Sequence, residues 1–122
     1  MEKERVRQMN PVVLAFVGDA VYTLFVRQSL ALSSGFKTGE LNKRTSEIVS
    51  AHGQSERIER VMPLLTEEEA DIYRRGRNAK KLTKSKSATG AEYTRSTGLE
   101  AVVGYLYLTG QNDRITELFF TE

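Results

Sequence analysis

The hydrophobic positions of this chain fall into two dense runs separated by a polar middle. From Pro11 to Val26 nearly every residue is apolar, and Val12, Phe16, Val17, Ala20, Val21, Leu24, Phe25 and Leu30 cover most of a helical circumference. Asn10-Pro11 supplies a start signal, Asn as N-cap and Pro at the first helical position, so a helix is predicted from there to about Ser33. A helix apolar on most sides needs cover on most sides, and a second copy of the chain is one source of it. The run is 16 residues long, contains Asp19 and is followed by Arg27. It falls short of the roughly 20 apolar residues a bilayer requires and is predicted to be a core helix, not a membrane span.

Ser33-Ser34-Gly35 ends that helix, and Thr38 can cap a second with Leu41, Thr45, Ile48 and Val49 on its apolar face. A break is expected around His52-Gly53, followed by a short helix over Ser55 to Met62 that Pro63 closes. Thr66-Glu67-Glu68-Glu69 matches a capping box, and the helix it opens runs from acidic to basic as a helix dipole favours. From Lys80 to Ala91 the periodicity fails and a basic loop is predicted. It resumes at Thr94, where Leu99, Val102, Val103, Leu106 and Tyr107 form the second apolar helix, with Gly110 at its C-cap. Asp113 is expected to cap a last short helix carrying Ile115, Leu118 and Phe119. Tyr22, Tyr105 and Tyr107 stand among aliphatics and are expected in the core. No sustained period-two alternation, hairpin signal or internal repeat is present, so the expected fold class is all-α.

Composition narrows the chemistry. The 122 residues suit one domain spanning 1–122, and 39% hydrophobic with 28% charged residues describe a chain able to bury a core. The absence of Cys removes disulfides, thiolate zinc sites and Cys nucleophiles, and a single histidine, His52, removes most Ser-His-Asp chemistry. Met1 to Gln8 alternates acid and base without an apolar core, so it reads as neither secretory signal nor lipidation motif, and a cytoplasmic location is expected.

Two acids stand out by position. Asp19 is the only acid between Asn10 and Phe36, and Glu100 the only one between Tyr93 and Gly110, each inside an apolar helix where an uncompensated charge is expensive. Singly, each reads as a carboxylate paired with a base or a helix end. If the two apolar helices pack together, both acids can enter one cleft, where a divalent cation would neutralise them. The second feature is a basic run: Arg74, Arg75, Arg77, Lys80, Lys81, Lys84 and Lys86 occur without an intervening acid. It reads equally as a solvated balance to Glu67, Glu68, Glu69 and Asp71 or as a surface for nucleic-acid phosphates. His52 reads as a capping or surface residue. Gly76 to Asn78 lacks the spacing of a phosphate-binding loop.

The stretch Leu14-Ala15-Phe16-Val17-Gly18-Asp19 resembles the Leu-Glu-Phe-Leu-Gly-Asp motif of the ribonuclease III catalytic domain, and Thr97-Gly98-Leu99-Glu100-Ala101-Val102-Val103-Gly104 resembles its second motif, Asp-x-x-Glu-Ala-Leu-Ile-Gly. Leu65-Thr66-Glu67-Glu68-Glu69, Arg75-Gly76-Arg77-Asn78-Ala79-Lys80 and Ser96-Thr97-Gly98-Leu99-Glu100-Ala101 are similar to landmarks of the Mini-ribonuclease III subfamily, which lacks the separate double-stranded-RNA-binding domain. The resemblance implies an all-α homodimeric endoribonuclease that cuts double-stranded RNA with Mg²⁺, leaving 5′-phosphate and 3′-hydroxyl ends. It also implies a role in maturing the ends of the large-subunit (23S) ribosomal RNA precursor. Carried over, Asp19 and Glu100 match the metal-holding, catalytic acids. Arg74, Arg75, Arg77, Asn78, Lys80, Lys81, Lys84 and Lys86 are expected to contact RNA. Ala15 and Thr97 stand where the motifs carry Glu and Asp, which implies weaker metal binding and leaves, as the alternative, a ribonuclease III-like dimer that binds structured ribosomal RNA without cutting it.

Overall fold

The computed structural model describes residues 1–33, 35–79 and 90–121, and every regular element in them is helical. In chain order these are α1 (Lys3–Arg7), α2 (Pro11–Leu32), α3 (Thr38–Val49), α4 (Ala51–Val61), a 3₁₀ turn (Met62–Leu64), α5 (Glu67–Asn78), α6 (Gly90–Leu108) and α7 (Asn112–Phe119). The lysines at 80, 81, 84 and 86 lie outside the described residues.

The start and stop signals act as their chemistry dictates. Asn10 Oδ1 accepts from the Val12 amide at 2.8 Å, with Pro11 behind it at the first helical position. At α5 the capping box closes in both directions: Thr66 Oγ1 accepts from the Glu69 amide at 3.1 Å, and the Thr66 amide donates to Glu69 Oε1 at 2.9 Å. Helix α6 ends in a Schellman arrangement, the Gln111 amide donating to the Leu106 carbonyl at 2.8 Å and Gly110 to Tyr107 at 3.1 Å, with Gly110 at φ +75°.

Several boundaries differ from the pattern-based expectation. The break between α3 and α4 falls at Ser50, whose hydroxyl accepts from the Gly53 amide at 3.0 Å, so His52 and Gly53 lie inside α4. Gly53 is there for close approach: a Cβ would come within 2.4 Å of the Glu47 carbonyl oxygen at the end of α3. Helix α6 begins at Gly90, a turn before Thr94, and α7 begins at Asn112, with Asp113 in its first turn. The charged N-terminus forms α1, held by one fully buried side chain, Val6, and by the Met1 ammonium donating to the Leu108 carbonyl at 2.8 Å.

Helices α2 and α6 form the most extensive contact, and α5 and α4 pack on α6 from other sides. Leu14, Ala15, Val21, Tyr22 and Val26 of α2 meet Leu99, Val102, Val103, Tyr105 and Leu106 of α6 in the core, closed by Ile58, Ile72, Ile115 and Phe119. Tyr22 and Tyr105 are buried as expected, whereas Tyr107 is 44% exposed because its position on α6 turns outward. At 22 residues α2 has the length and apolarity to cross a membrane, but it is the central partner of α6 in this core. Its cover is incomplete: Val13, Phe16, Ala20 and Leu24, at helical spacing, form an exposed apolar stripe, with Phe16 79% and Leu24 58% exposed.

Candidate active site

Helices α2 and α6 cross through their glycines. A Cβ on Gly18 would lie 1.7 Å from the Glu100 carbonyl oxygen, and one on Gly104 would lie 2.0 Å from the Leu14 carbonyl oxygen. Only hydrogen at both positions permits this approach, so residues 18 and 100 are backbone neighbours and Asp19 and Glu100 leave from the same crossing. The two motifs thus meet in space although most of the chain separates them.

The burial of the two acids is unequal. Glu100 is half-buried, but Asp19 is exposed. The expectation of a desolvated Asp19 is therefore corrected: α2 is apolar beyond its core face, and Asp19 sits beside the uncovered stripe of Phe16 and Ala20, where its own chain leaves it in water. The two positions at which the motifs carry further acids are closed to solvent. Ala15 is 1% and Thr97 2% exposed, and the Thr97 hydroxyl donates to the Tyr93 carbonyl at 3.0 Å within its own helix. No group of three or more His, Cys, Asp or Glu side chains able to hold a metal occurs among the described residues. Asp19 and Glu100 offer two hard carboxylate groups, which would suit an ion that keeps several waters and takes the rest of its shell from a phosphate, the habit of Mg²⁺.

The basic end of α5 is laid on α6 at Thr97, Gly98 and Ala101, on the turn that carries Glu100. A Cβ on Gly76 would meet the Ala101 Cβ at 2.7 Å and the Thr97 carbonyl oxygen at 3.2 Å, and one on Gly98 would meet the Tyr73 ring at 2.6 Å. The close contact leaves the four predicted residues of this helix end in different surroundings. Arg77 stacks over the Tyr73 ring at 5.6 Å and donates from Nε to Asn78 Oδ1 at 3.3 Å, with Asn78 exposed at the helix end. Arg74 is exposed and pairs with Asp71 at 2.9 Å, a link that water weakens and a phosphate can displace. Arg75 turns the other way. It is half-buried and donates to the Arg7 carbonyl at 2.6 Å and the Met9 carbonyl at 3.1 Å, tying the α1–α2 connection to α5. In sequence Arg75 groups with its neighbours because a charge run does not show which way each guanidinium turns.

One further ion pair leaves no signal in the sequence. Arg114 of α7 donates to both oxygens of Glu69, at 2.9 and 2.8 Å, and to the Leu64 carbonyl at 2.9 Å. Burial alone would raise the Glu69 pKa, but Arg114 and the Thr66 amide outweigh it and hold the carboxyl below its usual range. The carboxylate that caps α5 thus also anchors α7.

A Ribonuclease III domain model matches residues 12–111 of this chain. A Mini-ribonuclease 3 of a Thermoanaerobacter species is 42% identical over 97% of this chain and 83% of its own length, and one from Symbiobacterium thermophilum is 46% identical over 90% and 85%. A crystal structure of a protein from Fusobacterium nucleatum superposes with a TM-score of 0.83 at 33% identity, covering 93% of this chain and 91% of that one. With its two motifs joined at a glycine crossing and its length matched almost throughout by Mini-ribonuclease 3 proteins, the chain belongs to the ribonuclease III family and is an endoribonuclease.

Proposed function

We propose that this endoribonuclease cuts double-stranded RNA with Mg²⁺ held by Asp19 and Glu100, that residues 1–122 act as one catalytic unit, and that two copies form the working enzyme. The observation that supports the reading is the α2–α6 crossing, where Gly18, next to Asp19, lies in backbone contact with Glu100. A divalent cation bound there supplies positive charge against phosphoryl oxygens and lowers the pKa of water. The chain's own residues do the rest. Asp19 and Glu100 hold and orient the cation, while Arg77, Asn78 and Arg74, with the lysines at 80, 81, 84 and 86, bind the RNA backbone through its phosphates. Hydrolysis would leave 5′-phosphate and 3′-hydroxyl ends.

The dimer is supported by the stripe of Val13, Phe16, Ala20 and Leu24, apolar area that one copy leaves uncovered and a two-fold partner would bury on itself. Because Asp19 borders that stripe, pairing would place two sites near one interface, one for each RNA strand. With two carboxylates per protomer, Asp19 and Glu100 would hold a single Mg²⁺ per site well, and any other would come with RNA phosphates. We place the enzyme in the cytoplasm and assign it the precursor of 23S ribosomal RNA as substrate.

The deciding experiment incubates the protein with long double-stranded RNA and Mg²⁺, beside an EDTA control and Asp19→Ala. Cutting that disappears in both controls supports the reading. RNA binding without cutting would shift it to a non-catalytic ribosomal-RNA-binding dimer, the outcome that the apolar and hydroxyl side chains of Ala15 and Thr97 would favour.

A further inference from the structure

The chain's one histidine bridges two helices through a carboxylate of each. His52 of α4 turns Nε2 toward Glu56 of the same helix, at 2.5 Å, and Nδ1 toward the carboxylate of Glu92 in the first turn of α6. A neutral imidazole has one N–H and can donate to only one of these; both contacts are satisfied together only by the imidazolium. We infer that His52 is a proton-dependent positioning residue, a clasp that ties the N-terminal turn of α6 to α4 through both ring nitrogens while charged and through only one N–H, shared between two acceptors, when neutral.

The surroundings favour the charged ring. Glu56 and Glu92 face it directly, and Glu47 of α3 with Arg57 and Arg60 of α4 line the same hollow. The hydrogen bond to Glu92 and the fields of both carboxylates raise the imidazole pKa above its ordinary value. A raised pKa means that the clasp is complete below about pH 6.5 and is lost as pH rises through the folded-state value. A second tie joins the same helices: Arg95 of α6 pairs with Glu59 of α4 at 2.9 Å and donates to Ser55 Oγ at 3.4 Å. Deprotonation therefore loosens the first turn of α6 and leaves the helix docked. That turn lies two turns before Glu100 and directly follows the segment of four lysines, so its fastening bears on the nuclease site. This last step rests on the proposed role of Glu100; the clasp itself does not.

NMR on the RNA-free, EDTA-treated protein tests the clasp apart from the nuclease reading. The lone imidazole is titrated, and amide exchange of residues 94–97, whose N–H groups bond to the carbonyls of the first turn, is compared between wild type and His52→Gln at each pH. Wild type should be protected roughly two- to fivefold more than the variant at pH 6, with the difference shrinking above the imidazole's titration. Glu92→Gln should lower the imidazole titration point, and it carries the test should His52→Gln fail to fold. An imidazole titrating at or below about 6.5, or a protection ratio unchanged between pH 6 and 8.5, overturns the inference. If it holds, the cleavage rate of wild type should carry a pH inflection that His52→Gln lacks.

Discussion

Gly18 and Glu100 touch through their backbones, the Cα hydrogen of one facing the carbonyl oxygen of the other where any Cβ would stand 1.7 Å away. Neither side of the contact can yield, because a Cβ there would press on a helix backbone and not on the end of a flexible side chain. Gly18→Ala should therefore destabilise the protein by about 3 kcal/mol or more and remove activity even where folding is partly retained. Urea unfolding of Gly18→Ala beside the milder Gly39→Ala, at a position with open space around it, checks this.

Asp19→Asn and Glu100→Gln keep shape and remove charge. Each should lower the cleavage rate by roughly 100-fold or more while RNA affinity, measured in Ca²⁺ or EDTA, changes little. Equal loss of binding and cutting would show that these carboxylates serve folding or RNA contact instead.

Arg75 and the lysines should separate cleanly. Arg75→Ala removes two hydrogen bonds to the Arg7 and Met9 carbonyls and should lower stability by about 1–2 kcal/mol without altering the salt dependence of RNA binding. Neutralising Lys80, Lys81 and Lys84 together should make the log–log salt slope shallower by roughly 2 to 3. Thermal melts and filter binding across a salt series measure both.

The Glu69–Arg114 pair predicts an acid limit. A carboxyl with a depressed folded-state pKa contributes stability that is present above its unfolded value, near 4.5, and is lost as pH falls through the lower folded value. Denaturation curves from pH 6 to 3.5 should show that loss, and Arg114→Ala, which strands a carboxylate only 4% exposed, should cost about 3 kcal/mol at pH 7.

Phe16 stands 79% exposed on the uncovered stripe of α2, so its substitution spares the monomer's core. Phe16→Asp should yield a folded monomer by analytical ultracentrifugation with cleavage strongly reduced. A wild-type monomer at micromolar concentration would remove the dimer altogether.

Much of the fold is legible in the chain. The Asn10-Pro11 start, the Thr66/Glu69 box and the Gly110 stop are local chemistry, and local chemistry survives folding. The two acids can be singled out because each stands alone in an apolar helix, but their burial cannot: the apolar excess of α2 suggests a need for internal cover, whereas part of it faces outward around Phe16. The boundary near His52 falls elsewhere than expected because Gly53, a helix breaker by propensity, answers to the nearby end of α3. Arg75 and Arg114 show the same limit for charges, whose partners lie more than 40 residues away along the chain.

The glycine crossing also has a kinetic side. Residues 18 and 100 are about 80 positions apart, a long separation for an all-helical protein, where most contacts join near neighbours in sequence. Closing so large a loop is slow compared with forming any single helix. On a ribosome, α2 must wait with its apolar faces open until α6 has left the exit tunnel, and the carboxylate pair cannot exist in any nascent chain that stops short of that helix. The crossing that joins the two motifs is thus completed only once α6 is free to dock, a delay set by topology alone.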